Sequence, residues 1–197
     1  MTLKTYTGRI FDFENISKDS IYIEDIFRSL PRLNRFVGHS SRTYSVGEHT
    51  FYCLLMAEKL GYSTREKLLT FIHDFTEAYV SDCPAPLKKL LPAFEKIEGQ
   101  VELAICEYLG IKPATEEEHY KVKRIDLTML VLEMRDLTLH DYKSFLNKYT
   151  YDQFLDDDDF KLGQKTPTEE SVRNILNTLF EDLMKDYKEE YQNGSEK

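Results

Sequence analysis

Apolar residues recur at helical spacing along most of the chain, and several helix starts are clearly marked. The segments Ser45–Glu48 and Ser63–Glu66 read SVGE and STRE. Both fit the capping box, in which a Ser hydroxyl and a Glu carboxylate satisfy free backbone amides reciprocally. The segment TPTE at 166–169 adds a proline at the first helical position, which is another start signal. With no alternating strand series, the pattern predicts an all-α fold.

The predicted helices cover 23–30, 46–60, 64–80, 86–91, 92–109, 115–140 and 167–190. Gly61 and Gly110 stand where helix C-caps are expected. A weak strand signal in GRIFDF (8–13) and IYIED (21–25) predicts at most a small hairpin. With 197 residues, the chain fits one compact helical domain, which we place at 1–190, followed by a flexible tail at 191–197.

The acidic segment 149–166 is predicted to be a long solvated loop. It contains four consecutive aspartates, Asp156 to Asp159. It lacks the alternating ligand positions and the glycine that an EF-hand calcium loop requires. We therefore assign no cation site to it.

Four titratable residues interrupt helical faces that are otherwise apolar: His49, His73, Asp74 and Asp126. Asp126 lies one turn after Val122 and one turn before Met129. Glu77 follows His73 at i+4, so the two share a helix face. An isolated buried imidazole or carboxylate is costly, so such groups are expected to be paired or to bind a metal.

Two interpretations of these residues remain open from spacing alone. Two imidazoles and two carboxylates form a nitrogen and oxygen ligand set suited to Mn²⁺, Fe²⁺, Co²⁺ or Zn²⁺. Alternatively, each histidine is an ordinary hydrogen-bonded residue, and Asp126 pairs with Lys123 on the helix surface.

Charge and composition exclude several classes of protein. The net charge of −9 disfavours stable nucleic-acid binding, because an acidic surface repels phosphate backbones. No run of about 18 apolar residues indicates a membrane span, and the N-terminus has no apolar signal segment. Three widely spaced cysteines, an odd number, predict reduced thiols in a reducing cytoplasm.

Three segments together resemble the HD-domain metal-dependent phosphohydrolases. They are NRFVGHSSRTYSVGEH (34–49), IHDFTEAYVSDCPAPLK (72–88) and KRIDLTMLVLE (123–133). Their order and spacing are similar to the branch of bacterial 5′-deoxynucleotidases and small bacteriophage and prophage deoxynucleotide (dNTP) hydrolases. The resemblance covers roughly residues 6–135. It implies a compact helical bundle of the HD-domain type, with its metal core at about 30–135.

The resemblance also implies roles for individual residues. One divalent transition metal (Co, Mn, Zn or Fe, with Mg as an alternative) would be held by His49, His73, Asp74 and Asp126. Glu77 matches the catalytic acid/base. Asp82 matches a catalytic-site acid beside the sugar and the attacking water. The substrate-binding candidates are Arg35 and Lys88, which match phosphate cations, and Phe36.

The sequence departs from the family pattern at two places. Phe36 stands where many deoxynucleotidases have Trp near the ribose, which leaves discrimination against a 2′-hydroxyl open. The common SVAQHS appears here as SVGEHT, so Gly47 and Glu48 are candidates to alter the pocket wall. Glu48 is also the capping-box partner of Ser45, and we prefer that structural role for it.

The resemblance implies hydrolysis of deoxynucleoside 5′-phosphates. The reaction would release phosphate from a dNMP or triphosphate from a dNTP. The alternatives are a cyclic-nucleotide or oligonucleotide phosphodiesterase, and a non-catalytic nucleotide-binding helical module. The expected partners are the nucleotide and further copies of the chain, as a homo-oligomer (dimer or higher), with no membrane. The expected location is the cytoplasm of a bacterial cell, or the host cytoplasm if the protein is phage-encoded.

Overall fold

The computed structural model describes residues 1–191, and within them it confirms the all-α prediction. The helices are α1 (Ile23–Ser29), α2 (Val46–Lys59), α3 (Thr64–Ile72), α4 (Glu77–Val80), α5 (Ala85–Lys88), α6 (Pro92–Leu109), α7 (Glu116–Leu137) and α8 (Glu169–Tyr191). Short 3-10 turns join them, among them Leu30–Arg32, Arg35–Gly38, Asp152–Phe154 and Asp158–Phe160. No helix of residues 1–191 is long and apolar enough to cross a membrane. Apart from Tyr191, the tail predicted at 191–197 lies outside the described residues.

The main core lies where α1, α3 and α8 meet. Aromatic rings from the three helices pack edge to face, with Phe27 contacting Phe71, Phe75 and Phe180 at centroid distances of 5.3 to 6.4 Å. A second core cluster lies between α2 and α7 and includes Cys53. The titratable residues of the candidate site lie on helices and turns anchored in these two clusters.

The capping boxes predicted at Ser45 and Ser63 are confirmed, since each Ser side chain accepts from the backbone amide three residues later. Gly110 is the left-handed C-cap of α6, as predicted. The predicted start of the last helix is wrong. The helix α8 begins at Glu169, because the hydroxyl of Thr168 accepts from the amide of Ser171.

The hairpin pairs a different N-terminal segment from the one predicted. Strand β1 (Thr2–Lys4) pairs antiparallel with β2 (Ile10–Asp12). The IYIED segment, predicted as the partner, instead leads into α1, whose Asp25 accepts hydrogen bonds from the amide and hydroxyl of Thr7. This contact fastens the hairpin to the helix.

The helix predicted over 64–80 is broken in the middle. The helix α3 ends at Ile72, and α4 starts at Glu77. Between them the backbone forms hydrogen bonds of the 3-10 type. The amide of Phe75 donates to the carbonyl of Ile72, and the amide of Glu77 donates to the carbonyl of Asp74. His73 is thus the C-cap of α3, and Asp74 lies in the turn between the two helices. The helix predicted over 115–140 is also shorter, ending at Leu137.

Segment 149–166 is a loop, as predicted, with two short 3-10 turns, and Asp156, Asp158 and Asp159 are exposed, but a few of its apolar side chains are buried. Phe154 and Phe160 are buried against α2 and α7 in the second core cluster. The aspartates are used as surface anchors, since Lys59 lies 2.8 Å from Asp157 and 2.7 Å from Asp159. The segment therefore closes the core behind the candidate site.

Candidate metal centre

Three segments of the fold bring the four predicted ligand residues close together. His49 lies in the first turn of α2, His73 and Asp74 lie in the turn after α3, and Asp126 lies in α7. The Nε2 atom of His49 is 3.3 Å from Nε2 of His73. It is also 3.4 Å from Oδ2 of Asp74 and 3.6 Å from Oδ1 of Asp126. Nε2 of His73 is 3.2 Å from the same Asp74 oxygen.

The hydrogen bonds of the two histidines decide which nitrogens face the other candidate ligands. Nδ1 of His49 lies 2.6 Å from a carboxylate oxygen of Glu133, and Nδ1 of His73 lies 2.7 Å from the carbonyl oxygen of Thr70. Both partners can only accept, so each Nδ1 carries the proton. The lone pairs of both Nε2 atoms then face one another and the carboxylates of Asp74 and Asp126.

This geometry fits a metal ion. Ligand atoms about 2.0–2.2 Å from a metal lie roughly 3.0–3.5 Å from each other, close to the separations observed. Oδ2 of Asp74 is buried and has no hydrogen-bond partner within residues 1–191. Such an orphaned carboxylate oxygen is costly unless a cation compensates it. The donor set, two imidazoles and two carboxylates, suits the divalent transition metals.

The pKa values of the metal-free residues reflect the same need for a cation. Burial lowers the pKa of His73, but the charges of Asp74 and Asp126 and the hydrogen bonds of His73 raise it above its ordinary value overall. Burial raises the pKa of Asp74, yet the neighbouring His73, His49 and Arg35 bring it below its ordinary value.

Asp126 divides its two oxygens between the centre and the surface. Oδ1 faces His49, while Oδ2 accepts a hydrogen bond of 2.7 Å from Lys123. Burial raises the pKa of Asp126, and Lys123 and His49 lower it by more. The surface pairing that the sequence left open is therefore present together with the inward-facing oxygen.

Cys53 also lies beside the two histidines and could in principle offer its sulfur to a metal. Its Sγ atom is 3.3 Å from Nε2 and 3.9 Å from Nδ1 of His49. A sulfur along the lone pair of Nε2 would lie much farther from Nδ1, so the thiol packs against the ring. Burial raises the pKa of Cys53 well above its ordinary value, which disfavours the thiolate that binds metals. We therefore prefer the carboxylates as ligands.

Glu133 is a residue of the site that the sequence reading did not single out. It is fully buried in α7, and its two oxygens accept from Nδ1 of His49 at 2.6 Å and from Nε of Arg35 at 3.0 Å. A signal was present, because Glu133 follows Asp126 by seven residues and so lies two turns later on the same helix face. A carboxylate at that place in an apolar stripe requires a cationic partner.

Arg35 is held at the edge of the centre by an unusual turn. Its Nη1 atom is 3.6 Å from Oδ2 of Asp74, and its side chain is 11% exposed. The next two residues, Phe36 and Val37, have φ values of 57° and 54°. This left-handed backbone is strained for a β-branched residue such as Val37. The turn places Phe36 next to Arg35, with the guanidinium carbon 6.0 Å from the ring centre.

Two further carboxylic acids border the centre. Burial and the charges of Asp74 and Asp82 raise the pKa of Glu77 well above its ordinary value, although Arg35 and Lys88 act against this. Oε2 of Glu77 is buried and has no hydrogen-bond partner within the described residues. Asp82 follows α4, and its pKa is raised by burial and by Asp74, against the effect of Arg35.

Lys88 lies at the end of α5, and its ammonium group donates to both oxygens of Glu98, at 2.8 and 3.0 Å. Burial lowers its pKa, but Glu98, Glu77 and Asp74 raise it overall. A phosphate would have to compete with Glu98 for this cation. Its role in substrate binding stays a prediction.

The uncharacterized protein YfdR of Escherichia coli (strain K12) is 40% identical over 140 residues, which are 71% of this chain and 74% of YfdR. The chain belongs to the family of YfdR. No family model matches it. Because the name YfdR states no activity, the geometry of the site is the basis for a functional proposal.

In this member of the YfdR family, Gly47 and Glu48, which precede His49, have structural roles in helix packing and helix capping. A Cβ atom at Gly47 would lie 2.8 Å from Cγ1 of Val172 and 3.3 Å from Cδ1 of Leu176, both on α8. Gly47 therefore permits the close approach of α2 and α8. Glu48 completes the capping box with Ser45 and lies 2.9 Å from Arg42. That Gly47 and Glu48 also alter a pocket wall stays a prediction.

Proposed function

We propose that the protein is a divalent-metal-dependent phosphohydrolase of the HD type, acting on deoxynucleoside 5′-phosphates. The observation that carries the proposal is that acceptor atoms of His73, Asp74 and Asp126 lie 3.3 to 3.6 Å from Nε2 of His49. Mutual repulsion of these atoms is relieved by a bound cation. The resemblance of the three motif segments to the HD phosphohydrolases supports the same proposal.

When bound, the metal supplies Lewis-acid polarisation of a phosphoryl oxygen. Burial and the charges of Asp74 and Asp82 raise the pKa of Glu77, which suits it to act as the general acid. It would protonate the nucleoside 5′-oxygen as that oxygen leaves phosphorus and a water molecule attacks from the opposite side. Arg35 has its Nε occupied by Glu133, which leaves its outer nitrogens for the phosphate.

The free thiols of residues 53, 83 and 106 are consistent with a reducing cytoplasm.

A metal and product screen tests the proposal. Purified protein is analysed for metal and incubated with each dNMP, NMP, dNTP and NTP in the presence of Mn²⁺ or Co²⁺. Phosphate and triphosphate are then separated. We expect turnover of at least one deoxynucleotide, and the released product distinguishes a monophosphate from a triphosphate substrate. Turnover of cyclic nucleotides alone would favour the phosphodiesterase alternative, and no turnover at all would overturn the enzymatic proposal.

The role of Glu77 is tested by Glu77→Gln. The variant keeps the size of the side chain and loses the transferable proton. General acid–base catalysis contributes about 10²–10⁴-fold, so we expect kcat to fall by a factor of that order. Metal content is the control, since Glu77 is not among the four ligand residues and the metal should be retained. Unchanged turnover would remove Glu77 from the acid/base role.

A further inference from the structure

Glu133 joins the candidate metal ligand His49 to the candidate phosphate cation Arg35. One oxygen accepts from Nδ1 of His49 at 2.6 Å, and the other accepts from Nε of Arg35 at 3.0 Å. Its side chain is 0% exposed. Both oxygens are therefore shielded from bulk solvent.

Arg35 stands between two carboxylates. Its Nε is hydrogen-bonded to Glu133, whereas its Nη1 lies 3.6 Å from Oδ2 of Asp74. That Asp74 oxygen makes no hydrogen bond with residues 1–191, although a guanidinium is so near. If Arg35 moved by less than 1 Å toward Asp74, it would form a normal charged hydrogen bond. The bond to Glu133 opposes this movement.

We propose that Glu133 is a positioning residue that holds Arg35 away from Asp74 and so keeps the Asp74 oxygen free for a metal. The same carboxylate fixes the tautomer of His49 whose Nε2 lone pair faces the centre. Without Glu133, Arg35 pairs fully with Asp74 and competes with the metal for it. This inference rests on the proposed metal-dependent function and adds a residue to it.

The test uses Mn²⁺ affinity, measured by calorimetry on the full chain in the absence of nucleotide. The first variant is Glu133→Gln, because glutamine has one acceptor oxygen and keeps at most one of the two bonds. We expect its Mn²⁺ affinity to fall about 10–100-fold, as is usual when an outer partner of a metal ligand is lost. Asp25→Asn is the matched control, a buried carboxylate bonded to Thr7, and should bind Mn²⁺ like the wild type.

The double variant Glu133→Gln with Arg35→Met separates positioning from simple structural damage. If Arg35 is the competitor, removing it restores most of the lost Mn²⁺ affinity, and Arg35→Met alone binds Mn²⁺ at least as tightly as the wild type. An unchanged affinity in Glu133→Gln would overturn the inference. So would a double variant that binds as weakly as Glu133→Gln.

Should Glu133→Gln fail to fold, the double variant is compared with Arg35→Met instead. Equal Mn²⁺ affinity of these two supports the inference, and a large loss in the double variant overturns it. A wild-type protein that binds no Mn²⁺ removes the proposed metal centre together with this inference. A wild type that binds and hydrolyses, beside a Glu133→Gln variant of equal affinity, removes the inference alone.

Discussion

At the scale of single residues, three of the candidate ligands have two polar atoms with different partners: one atom faces the centre, and the other binds a residue outside it. His49 and His73 each donate through Nδ1 to a fixed acceptor and present Nε2 to the centre. Asp126 presents one oxygen to His49 and the other to Lys123. These three candidate ligands are thus each oriented by a partner outside the centre, as is usual for metal ligands in proteins.

The two ends of Asp126 give a prediction about metal affinity. Asp126→Asn removes a negative ligand, so we expect Mn²⁺ affinity to fall by more than the roughly 10–100-fold cost of losing an outer partner. Lys123→Met removes the surface cation and leaves the inward oxygen of Asp126, so Mn²⁺ should bind at least as tightly as in the wild type. Calorimetric titration of both variants checks this. Equal affinities in the two variants would contradict a ligand role for Asp126.

The sequence indicated which titratable residues lie on apolar faces, because a charged group interrupting a helical stripe is visible in the spacing. It did not show Glu133 as a partner of His49, since these residues are 84 positions apart and only the packing of α7 on α2 brings them together. It also gave no sign that Lys88 would bond to Glu98. Long-range pairing is a property of the folded chain.

At the scale of elements, the sequence predicted helix starts well where a nearby side chain caps the free backbone amides. Three capping boxes form as side chain and amide spacing require, at Ser45, Ser63 and Thr115. The break between α3 and α4 was not predicted, because the apolar pattern of a helix continues through it. Only the folded backbone shows that hydrogen bonds of the 3-10 type replace the helical ones there. The same break places Asp74 and Glu77 toward the centre.

The start of α7 gives a pH-dependent prediction. Arg65 donates to both oxygens of Glu118, at 2.6 and 3.2 Å, and this hydrogen bonding lowers the pKa of Glu118 below its ordinary 4.5. A lowered carboxyl pKa stabilises the fold above the unfolded value, and the contribution is lost as the pH falls through the folded value. Arg65→Met should therefore lower the free energy of unfolding at pH 7 by about 1.5–3 kcal/mol.

Below pH 4.5 the difference between Arg65→Met and the wild type should shrink, because Glu118 becomes protonated in both. Urea unfolding at pH 7 and at about pH 3 measures it. Part of the difference should persist, since Arg65 also donates to the carbonyls of Lys112 and Pro113. A difference that does not vary with pH would show that the carboxylate of Glu118 is not the group involved.

The contact between α2 and α8 predicts a substitution whose effect changes sign. In the wild type, Gly47→Ala forces a methyl group to 2.8 Å from Val172, and such overpacking costs about 1–3 kcal/mol. The Val172→Ala background removes the 2.8 Å contact and leaves contacts of 3.3 Å with Leu176 and with the backbone nitrogen of Pro31. Alanine is favoured over glycine within a helix by up to about 1 kcal/mol, so Gly47→Ala should stabilise the fold there. Thermal unfolding of the four proteins checks both signs. Destabilisation in both backgrounds would mean that Leu176 or the backbone at Pro31 also collides with the methyl group.

At the scale of the whole molecule, the centre lies between elements of both core clusters. His49 and Asp126 belong to helices of the second cluster, which segment 149–166 closes from behind. His73 follows α3, which packs against α8 in the main core. Without a cation, the candidate ligand atoms repel one another. This repulsion pushes α2 and α7 away from the end of α3, and the packing of the two core clusters opposes it.

A bound metal should accordingly stabilise the whole fold. A ligand at 100 times its dissociation constant adds about 2.7 kcal/mol to the stability of the state that binds it. For a domain of this size, each kcal/mol shifts the melting temperature by about 2–4 °C. We expect Mn²⁺ to raise the Tm by roughly 5–10 °C and EDTA to reverse the shift. Asp126→Asn should lose most of the shift, while Asp25→Asn should keep it, and an equal shift in both would place the Mn²⁺ elsewhere.

The long sequence separations within the centre have a consequence for folding. Glu133 is 98 residues from Arg35 and 84 residues from His49, so their bonds form only after α7 has docked onto α2. Contacts of such separation form late, because the intervening chain loses entropy before they are made. During synthesis, the ribosome must release the whole of α7 before the proposed metal centre can form. Metal uptake by the nascent polypeptide would therefore report the moment at which its long-range topology is complete.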